Sequence, residues 1–291
     1  MPNKNYRERE KMEFTNLKGK TVVITGGSGV LCSAFAYAFA EQGMNVAVLG
    51  RTLSKLETVC DKINSLGGNG LAVVCDVVDK DSITSAKKAV NDAFGKVDIL
   101  VNGAGGNHPR GNTTKEFFES GDIENPDVIS FFDLEKENFS YVFDLNIVGT
   151  ILPTQVFLSD MLGRKGTTVI NVASMGSYHP LTKVSAYCAA KAGIASFTEW
   201  LAVHFAKSGI RVNAIAPGWF QTEQNKTLLL NADGSLTERS KKVIAHTPMD
   251  RFGVPEDLVG TMLYLADDTL SGFVTGAMIP VDGGFQAYFG V

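Results

Sequence analysis

The stretch Thr21-Val22-Val23-Ile24-Thr25-Gly26-Gly27-Ser28-Gly29-Val30 decides the fold. Five residues, all β-branched, favour an extended strand. The glycines that follow let the chain turn sharply and bring its backbone close to a bound group. Val30 then opens a helical pattern over 30–42 that Gly43 closes. A helix beginning there offers unpaired N–H groups and the positive end of its dipole, a resting place for a pyrophosphate. A phosphate loop ending in Gly-Lys-Ser/Thr would compete, but Val30-Leu31-Cys32 supplies none of that ending. A glycine turn alone is as readily structural. Its position at the first strand and first turn makes Thr25, Gly26, Gly27, Ser28, Gly29 and Val30 candidate dinucleotide contacts.

Outward from this unit, short apolar runs at 46–49, 71–75, 99–102, 168–172, 211–216 and 278–281 predict further strands. Helical patterns fall at 53–66, 82–94, 137–162, 184–207 and 255–265. Strands apolar on both faces, separated by amphipathic helices, mean a parallel sheet covered on both sides. The predicted class is α/β: a single doubly wound domain over 17–291 with a mostly seven-stranded parallel sheet, preceded by a polar extension at 1–16. Ligands of such sheets bind outside the carboxyl ends of the strands. Two long polar stretches, 105–132 and 219–250, follow strand ends and could overhang that edge.

The composition, 44% hydrophobic and 20% charged over 291 residues, suits one large α/β domain. A net charge of −4 excludes a basic nucleic-acid footprint. Cys32, Cys60, Cys75 and Cys188 form no C-x-x-C pair and have no histidine at zinc-ligand spacing. They read as reduced thiols of a cytoplasmic protein without a metal. Residues 1–20 lack the apolar core of a signal peptide, and no apolar run approaches the roughly 18 residues of a membrane span.

At the end of the second strand, Leu49-Gly50-Arg51-Thr52 carries no acid for a ribose hydroxyl. An arginine there can pair with a 2′-phosphate, which favours NADP and leaves NAD open. Arg51 can also be read as a solvated charge opening the next helix. Asp76, followed by Val77, either accepts from an adenine amino group or caps the following helix. Asn102-Gly103-Ala104-Gly105 offers a flat backbone for an adenosine ribose.

Tyr187 and Lys191 are one helical turn apart, with Ser174 thirteen residues upstream of the tyrosine. A lysine beside a phenol favours the phenolate and is expected to lower the tyrosine pKa, giving a group that moves a proton near neutral pH. A serine hydroxyl at the same spot could hydrogen-bond the substrate oxygen. Taken alone, the pair is equally a surface pair on an amphipathic helix.

With these residues in order, and with Asn146 and Gly149, Pro217-Gly218 and Thr222, and Asp282-Gly283-Gly284, nearly the whole chain resembles the short-chain dehydrogenase/reductase family. The resemblance implies a Rossmann-type fold. It also implies that Tyr187 is the general acid or base, that Lys191 tunes it and holds the nicotinamide ribose, that Ser174 polarises the carbonyl, and that Asn146 fixes a relay water. Pro217, Gly218 and Thr222 match positions that contact the carboxamide and pyrophosphate. Two departures stand out: the glycine turn is one residue short, and Leu31-Cys32 replace a later glycine.

Within the family, Gly105-Gly106-Asn107-His108-Pro109, Leu152-Pro153-Thr154-Gln155, Thr222-Glu223-Gln224-Asn225, Thr247-Pro248-Met249 with Arg251-Phe252-Gly253, and Val281 to Phe285 are similar to the D-mannonate oxidoreductase (fructuronate reductase) members. That likeness implies reduction of a ketone on a sugar acid, whose carboxylate and hydroxyls need cations and polar partners. Asn107, His108, Arg110, Lys183, Gln224 and Asn225 are the candidate substrate contacts, each equally readable as an ordinary loop residue. Gluconate 5-dehydrogenase-like and 3-oxoacyl reductases are the enzyme alternatives, and a non-catalytic dinucleotide-binding regulator is the remote one. The family implies a homotetramer, with Phe285, Tyr288 and Phe289 either at an interface or over their own core.

Overall fold

β1 (Thr21–Thr25) is buried along its whole length as the third strand of a seven-stranded parallel sheet. The computed structural model describes residues 14–221 and 229–290. Around β1 lie β2 (Asn45–Gly50), β3 (Asn69–Val74), β4 (Ile99–Asn102), β5 (Thr168–Val172), β6 (Arg211–Pro217) and β7 (Met278–Val281), in the order β3-β2-β1-β4-β5-β6-β7. The chain winds outward one way through β2 and β3, then returns to β4 and winds the other way. That reversal sits between β1 and β4, where Thr25 pairs with both Leu49 and Asn102. A crevice opens at such a switch point because the connections leave in opposite directions.

Alternation along β1 divides the core in two, since successive strand side chains point to opposite faces. Val22 and Ile24 pack with Phe35 and Phe39 of α1 (Val30–Glu41), with Leu56 and Ile63 of α2 (Leu53–Ser65), and with Met262 and Leu265 of the helix Glu256–Ala266. Val23 faces the other way, with Ile83 and Val90 of α3 (Lys80–Phe94) and Phe157 and Leu201 from the helices beyond. The seven strands stand where their apolar runs predict them. Asp79, not Asp76, caps α3, its carboxylate accepting from the N–H groups of Asp81 and Ser82. Asp76 instead accepts from Val78 N at 3.1 Å, a turn within its own loop.

The helix expected at 137–162 is interrupted. It runs as α4 (Lys136–Phe143), a π-helical turn over Asp144–Val148, α5 (Gly149–Phe157) and a 3-10 turn. Pro153 removes one donor, while the Thr150 and Thr154 hydroxyls donate to the Asn146 and Thr150 carbonyls. Both effects loosen a regular ladder. An 18-residue window within Lys136–Asp160 reaches a mean hydropathy of 1.3, enough by length and composition alone to cross a membrane, although Asp144, Asn146 and Gln155 break the apolar run. Its apolar side chains, Val142 and Phe157 among them, pack inside the protein, as a helix lying on a sheet requires.

The stretch 219–250 is not loop throughout, because Glu238–Ala245 is a helix capped by Thr237, whose hydroxyl accepts from Ser240 N. The stretch 105–132 is tightened by 3-10 turns at Pro109–Gly111 and Ser120–Glu124 and by Lys115, which bridges Glu119 and buried Asp122. Although polar in sequence, it presents Phe117, Phe118, Ile123, Phe131 and Phe132 to the outside.

α6 (Ser185–Phe205) crosses β5 and β6. Beneath it, Asn102 Nδ2 donates to Thr154 Oγ1 and Asn171 Oδ1, and Asn171 Nδ2 donates to Thr198 Oγ1, each at 2.9 Å. This buried polar ladder ties β4, α5, β5 and α6 together.

Candidate active site

A trough runs over the carboxyl ends of the strands, formed by two adjoining hollows of about 410 and 310 Å³. Gly103, Gly105, Val30, Leu31 and Val172 line both.

The first hollow is walled mainly by backbone. Gly26 has φ +65°, and a Cβ on it would stand 2.9 Å from the Ala104 N and Cα atoms. A Cβ on Gly27 would meet Val48 Cβ at 2.6 Å. Both turns therefore require glycine, and the backbone they expose lies against α1, whose first turn has no side-chain cap. Free N–H groups there suit a phosphate. Thr25 is turned inward: its Oγ1 accepts from Gly103 N and Ala104 N, both at 3.1 Å, joining the ends of β1 and β4. The Leu31-Cys32 departure is accommodated by Gly103, because a Cβ there would lie 2.2 Å from Cys32 Sγ. Burial pushes the Cys32 thiol up to about 12, so it is a neutral packing group. Arg51, Thr52 and Lys55 line the outer end of this hollow, with Asp76 and Val77 beside them.

The second hollow holds Ser174, Tyr187 and Lys191, together with Pro217 and Gly218. Ser174 follows β5 by two residues and caps a short 3-10 turn, its Oγ accepting from Gly176 N at 3.1 Å. Ser174 shares this hollow with Tyr187 and pulls the phenol's pKa down in part. Lys191 Nζ donates to Val172 O at 2.8 Å and lies 5.7 Å from the Tyr187 ring centroid. Burial lowers the Lys191 pKa to about 8, against a smaller opposing pull from Cys32. Burial raises the Tyr187 pKa, and Ser174 only partly offsets it. The expected lowering by Lys191 is thus not what this geometry gives, because the ammonium is turned to a main-chain carbonyl and the phenol is desolvated.

Asn146 lies in the π turn, fully buried. Its Nδ2 donates to Gly106 O at 2.7 Å and Val142 O at 2.8 Å, and its Oδ1 accepts from Gly106 N at 3.2 Å. A Cβ on Gly105 would stand 2.8 Å from Asn146 Oδ1 and 3.1 Å from Lys191 Nζ, so the two side chains converge over that glycine. π turns recur at functional sites because they re-aim side chains within a helix.

The substrate candidates are dispersed. Asn107 is occupied locally, donating to Asn112 Oδ1 and accepting from His108 N. His108 packs edge-on against Tyr141, and Arg110 is exposed on its 3-10 turn. None of these three lines the hollow around Tyr187. Lys183 has φ +73° and its carbonyl accepts from Thr113 N at 3.0 Å, which holds the 105–132 stretch against the loop before Tyr187. Thr222, Gln224 and Asn225 lie outside the described residues. Two residues that motif reading passes over, Trp219 and Phe220, line the hollow directly after Pro217-Gly218. Arg239 lies 5.2 Å from the Trp219 ring centroid, a cation–π contact.

The short chain dehydrogenase family model matches residues 20–232. An uncharacterised oxidoreductase of Bacillus subtilis is 54% identical over 276 residues, covering 95% of this chain and 98% of its own. A Haemophilus influenzae protein crystallised with NAD, provisionally named a D-mannonate oxidoreductase, is 46% identical with a TM-score of 0.92, covering 95% of this chain and 98% of its own. An Agrobacterium tumefaciens structure with NADP, provisionally named a 2-deoxy-D-gluconate 3-dehydrogenase, is 30% identical with a TM-score of 0.78, covering 95% of this chain and all of its own. By fold, by the constellation over its strand ends and by these matches, the chain belongs to the short-chain dehydrogenase/reductase family of oxidoreductases.

Proposed function

We propose that this protein interconverts a ketone and a secondary alcohol on a sugar acid, D-fructuronate and D-mannonate being the pair, with NADP favoured as coenzyme. The observation that carries the redox reading is that Ser174, Tyr187 and Lys191 line one hollow over the strand ends, with Lys191 Nζ 5.7 Å from the Tyr187 ring centroid. Support for the sugar acid comes from the provisional name of the Haemophilus relative. The glycine cradle fits a dinucleotide, since side chains at Gly26 or Gly27 would fill it. Gly26, Gly27, Ser28, Gly29, Val30, Asn102, Gly103 and Ala104 would hold it, with Asp76 and Val77 beside the adenine and Pro217 and Gly218 at the carboxamide end. Arg51 and Lys55 at the outer end favour a 2′-phosphate. NAD is the second reading because the Haemophilus relative carries it.

The coenzyme supplies the hydride; the chain supplies placement and the proton. In reduction the Tyr187 phenol, protonated because burial raises its pKa, gives its proton to the substrate oxygen. Ser174 hydrogen-bonds the same oxygen and orients it. The Lys191 ammonium, anchored on Val172 O, would hold the nicotinamide ribose, and Asn146 holds the Gly105-Gly106 backbone under that ammonium and fixes the relay water that re-protonates the tyrosine. The four free, buried cysteines fit a reducing compartment, the cytoplasm. The chain is read as one domain assembling into a homotetramer, which light scattering before and after truncation at Gly284 would test.

Initial rates with D-fructuronate, D-tagaturonate, 5-ketogluconate and a 3-oxoacyl thioester, using NADPH and NADH, test the substrate reading. Turnover of the uronates is expected, and turnover confined to the thioester would overturn it.

A further inference from the structure

Three cations from two segments, Lys183 in the loop before α6 and Arg239 and Lys242 on the helix Glu238–Ala245, act on one carboxylate. Glu116, in the 105–132 stretch, accepts from Lys242 Nζ with both oxygens at 3.1 Å. Lys183 and Arg239 add their attraction, and the group is held ionised below the usual carboxylate range, the Lys242 hydrogen bond being the largest cause. The cluster is fixed to the site at two points. Lys183 stands four residues before Tyr187, in a left-handed conformation pinned by Thr113. Arg239 lies over Trp219, whose ring walls the hollow containing Ser174 and Tyr187. The described side chains here carry an excess of positive charge on a chain whose net charge is −4. Local positive potential on an acidic protein draws anions to that place.

Solvated surface lysines would not need to meet. These come from the loop before α6 and from the helix Glu238–Ala245; Lys242 pairs with Glu116 of a third segment, and Lys183 and Arg239 act on the same carboxylate. An ammonium and a guanidinium around a carboxylate are the donor set that recognises a small organic acid. We propose that Lys183, Arg239 and Lys242 form the subsite that receives the substrate's carboxylate, and that Glu116 occupies it as an internal counter-ion which the substrate displaces. The proposal rests on the sugar-acid reading and names the part of the site that enforces it. Substrate binding then exchanges one carboxylate for another on the same cations, and the Glu116–Lys242 link between the two overhanging segments opens as the acid arrives.

The test compares D-fructuronate with its primary amide, which has the same ketone and hydroxyls but no charge. For Arg239→Gln and for Lys242→Gln, the ratio of KM for the acid to KM for the amide should rise about ten-fold or more, the size expected for losing a charge-assisted hydrogen bond. Glu116→Gln should lower KM for the acid, because the competitor is gone. Lys88→Gln, an exposed lysine of α3 far from the trough, controls for net charge and should leave both substrates alone. Lys242 is exposed, so its variant reads the subsite even where loss of the Arg239–Trp219 contact disturbs folding. Equal changes for acid and amide, or a Glu116→Gln variant with a higher KM for the acid, would overturn the proposal while leaving sugar-acid reduction standing. A wild-type enzyme that reduces only uncharged ketones would remove both.

Discussion

The two ends of the trough are built by different means. The nucleotide end is backbone: glycines, strand ends and a helix terminus, with Gly26 and Gly27 confined by Ala104 and Val48. The end proposed for the substrate is walled by side chains, Ser174, Tyr187, Lys191, Trp219 and Phe220 among them, drawn from separate segments. Backbone recognition needs a spacing pattern that sequence displays directly. Side-chain recognition depends on which residues the loops happen to bring together, and spacing says little about that.

The sharpest break between the ends comes at the tyrosine. Tyr187→Phe should lower turnover by about 10² to 10⁴-fold, the contribution of a positioned general acid. Coenzyme affinity, measured by quenching of protein fluorescence, should persist. Loss of coenzyme binding in that variant would mean the two ends are one unit.

A pH profile comes next in size. Lys191, depressed to about 8 by burial, is charged below that pH and neutral above it. The Tyr187 phenol stays protonated through the same range because its pKa is raised. So kcat/KM for ketone reduction should fall as pH rises through about 8, approaching ten-fold per pH unit well above it. A profile flat to pH 10 would show that the ammonium is not needed.

At the nucleotide end, Gly27→Ala forces a contact with the Val48 side chain. Overpacking of this kind costs about 1–3 kcal/mol. A lower melting temperature and weaker coenzyme binding should appear together, with KM for the ketone at saturating coenzyme unaltered. The smallest effect expected is Arg51→Ala, because the side chain is exposed. It should shift the ratio of kcat/KM for NADPH over NADH by about ten-fold or less, the weight of one charge-assisted bond near solvent. A ratio that does not move would transfer the preference to Lys55 or to NAD.

The sheet was legible because its strands are buried on both faces, so runs such as Val46 to Leu49 announce themselves. Ser174, Tyr187 and Lys191 line one hollow, the juxtaposition their spacing along the sequence implies. The π turn at Asn146 was not legible, since it arises from Pro153 and from threonine hydroxyls competing for backbone carbonyls. The helix Glu238–Ala245 escaped notice because it buries little more than Ser240 and Val243 in its eight residues. Asn107 looked like a ligand contact by type, yet its amide is used within its own loop. The direction of the Tyr187 shift was also hidden, because residue spacing does not say that Lys191 Nζ points at Val172 O.

The polar ladder Thr154–Asn102–Asn171–Thr198 has a mechanical consequence. Each rung is buried, and leaving one such group without its partner costs about 1–3 kcal/mol. The strand ends and helices beneath Ser174, Tyr187, Lys191 and Asn146 therefore move as one stiff plate. Above that plate, the 105–132 stretch and the helix Glu238–Ala245 meet in a solvent-facing ion pair between Glu116 and Lys242, a contact worth far less than a buried rung. Stiffness in this molecule therefore lies under Ser174, Tyr187, Lys191 and Asn146 and not over them.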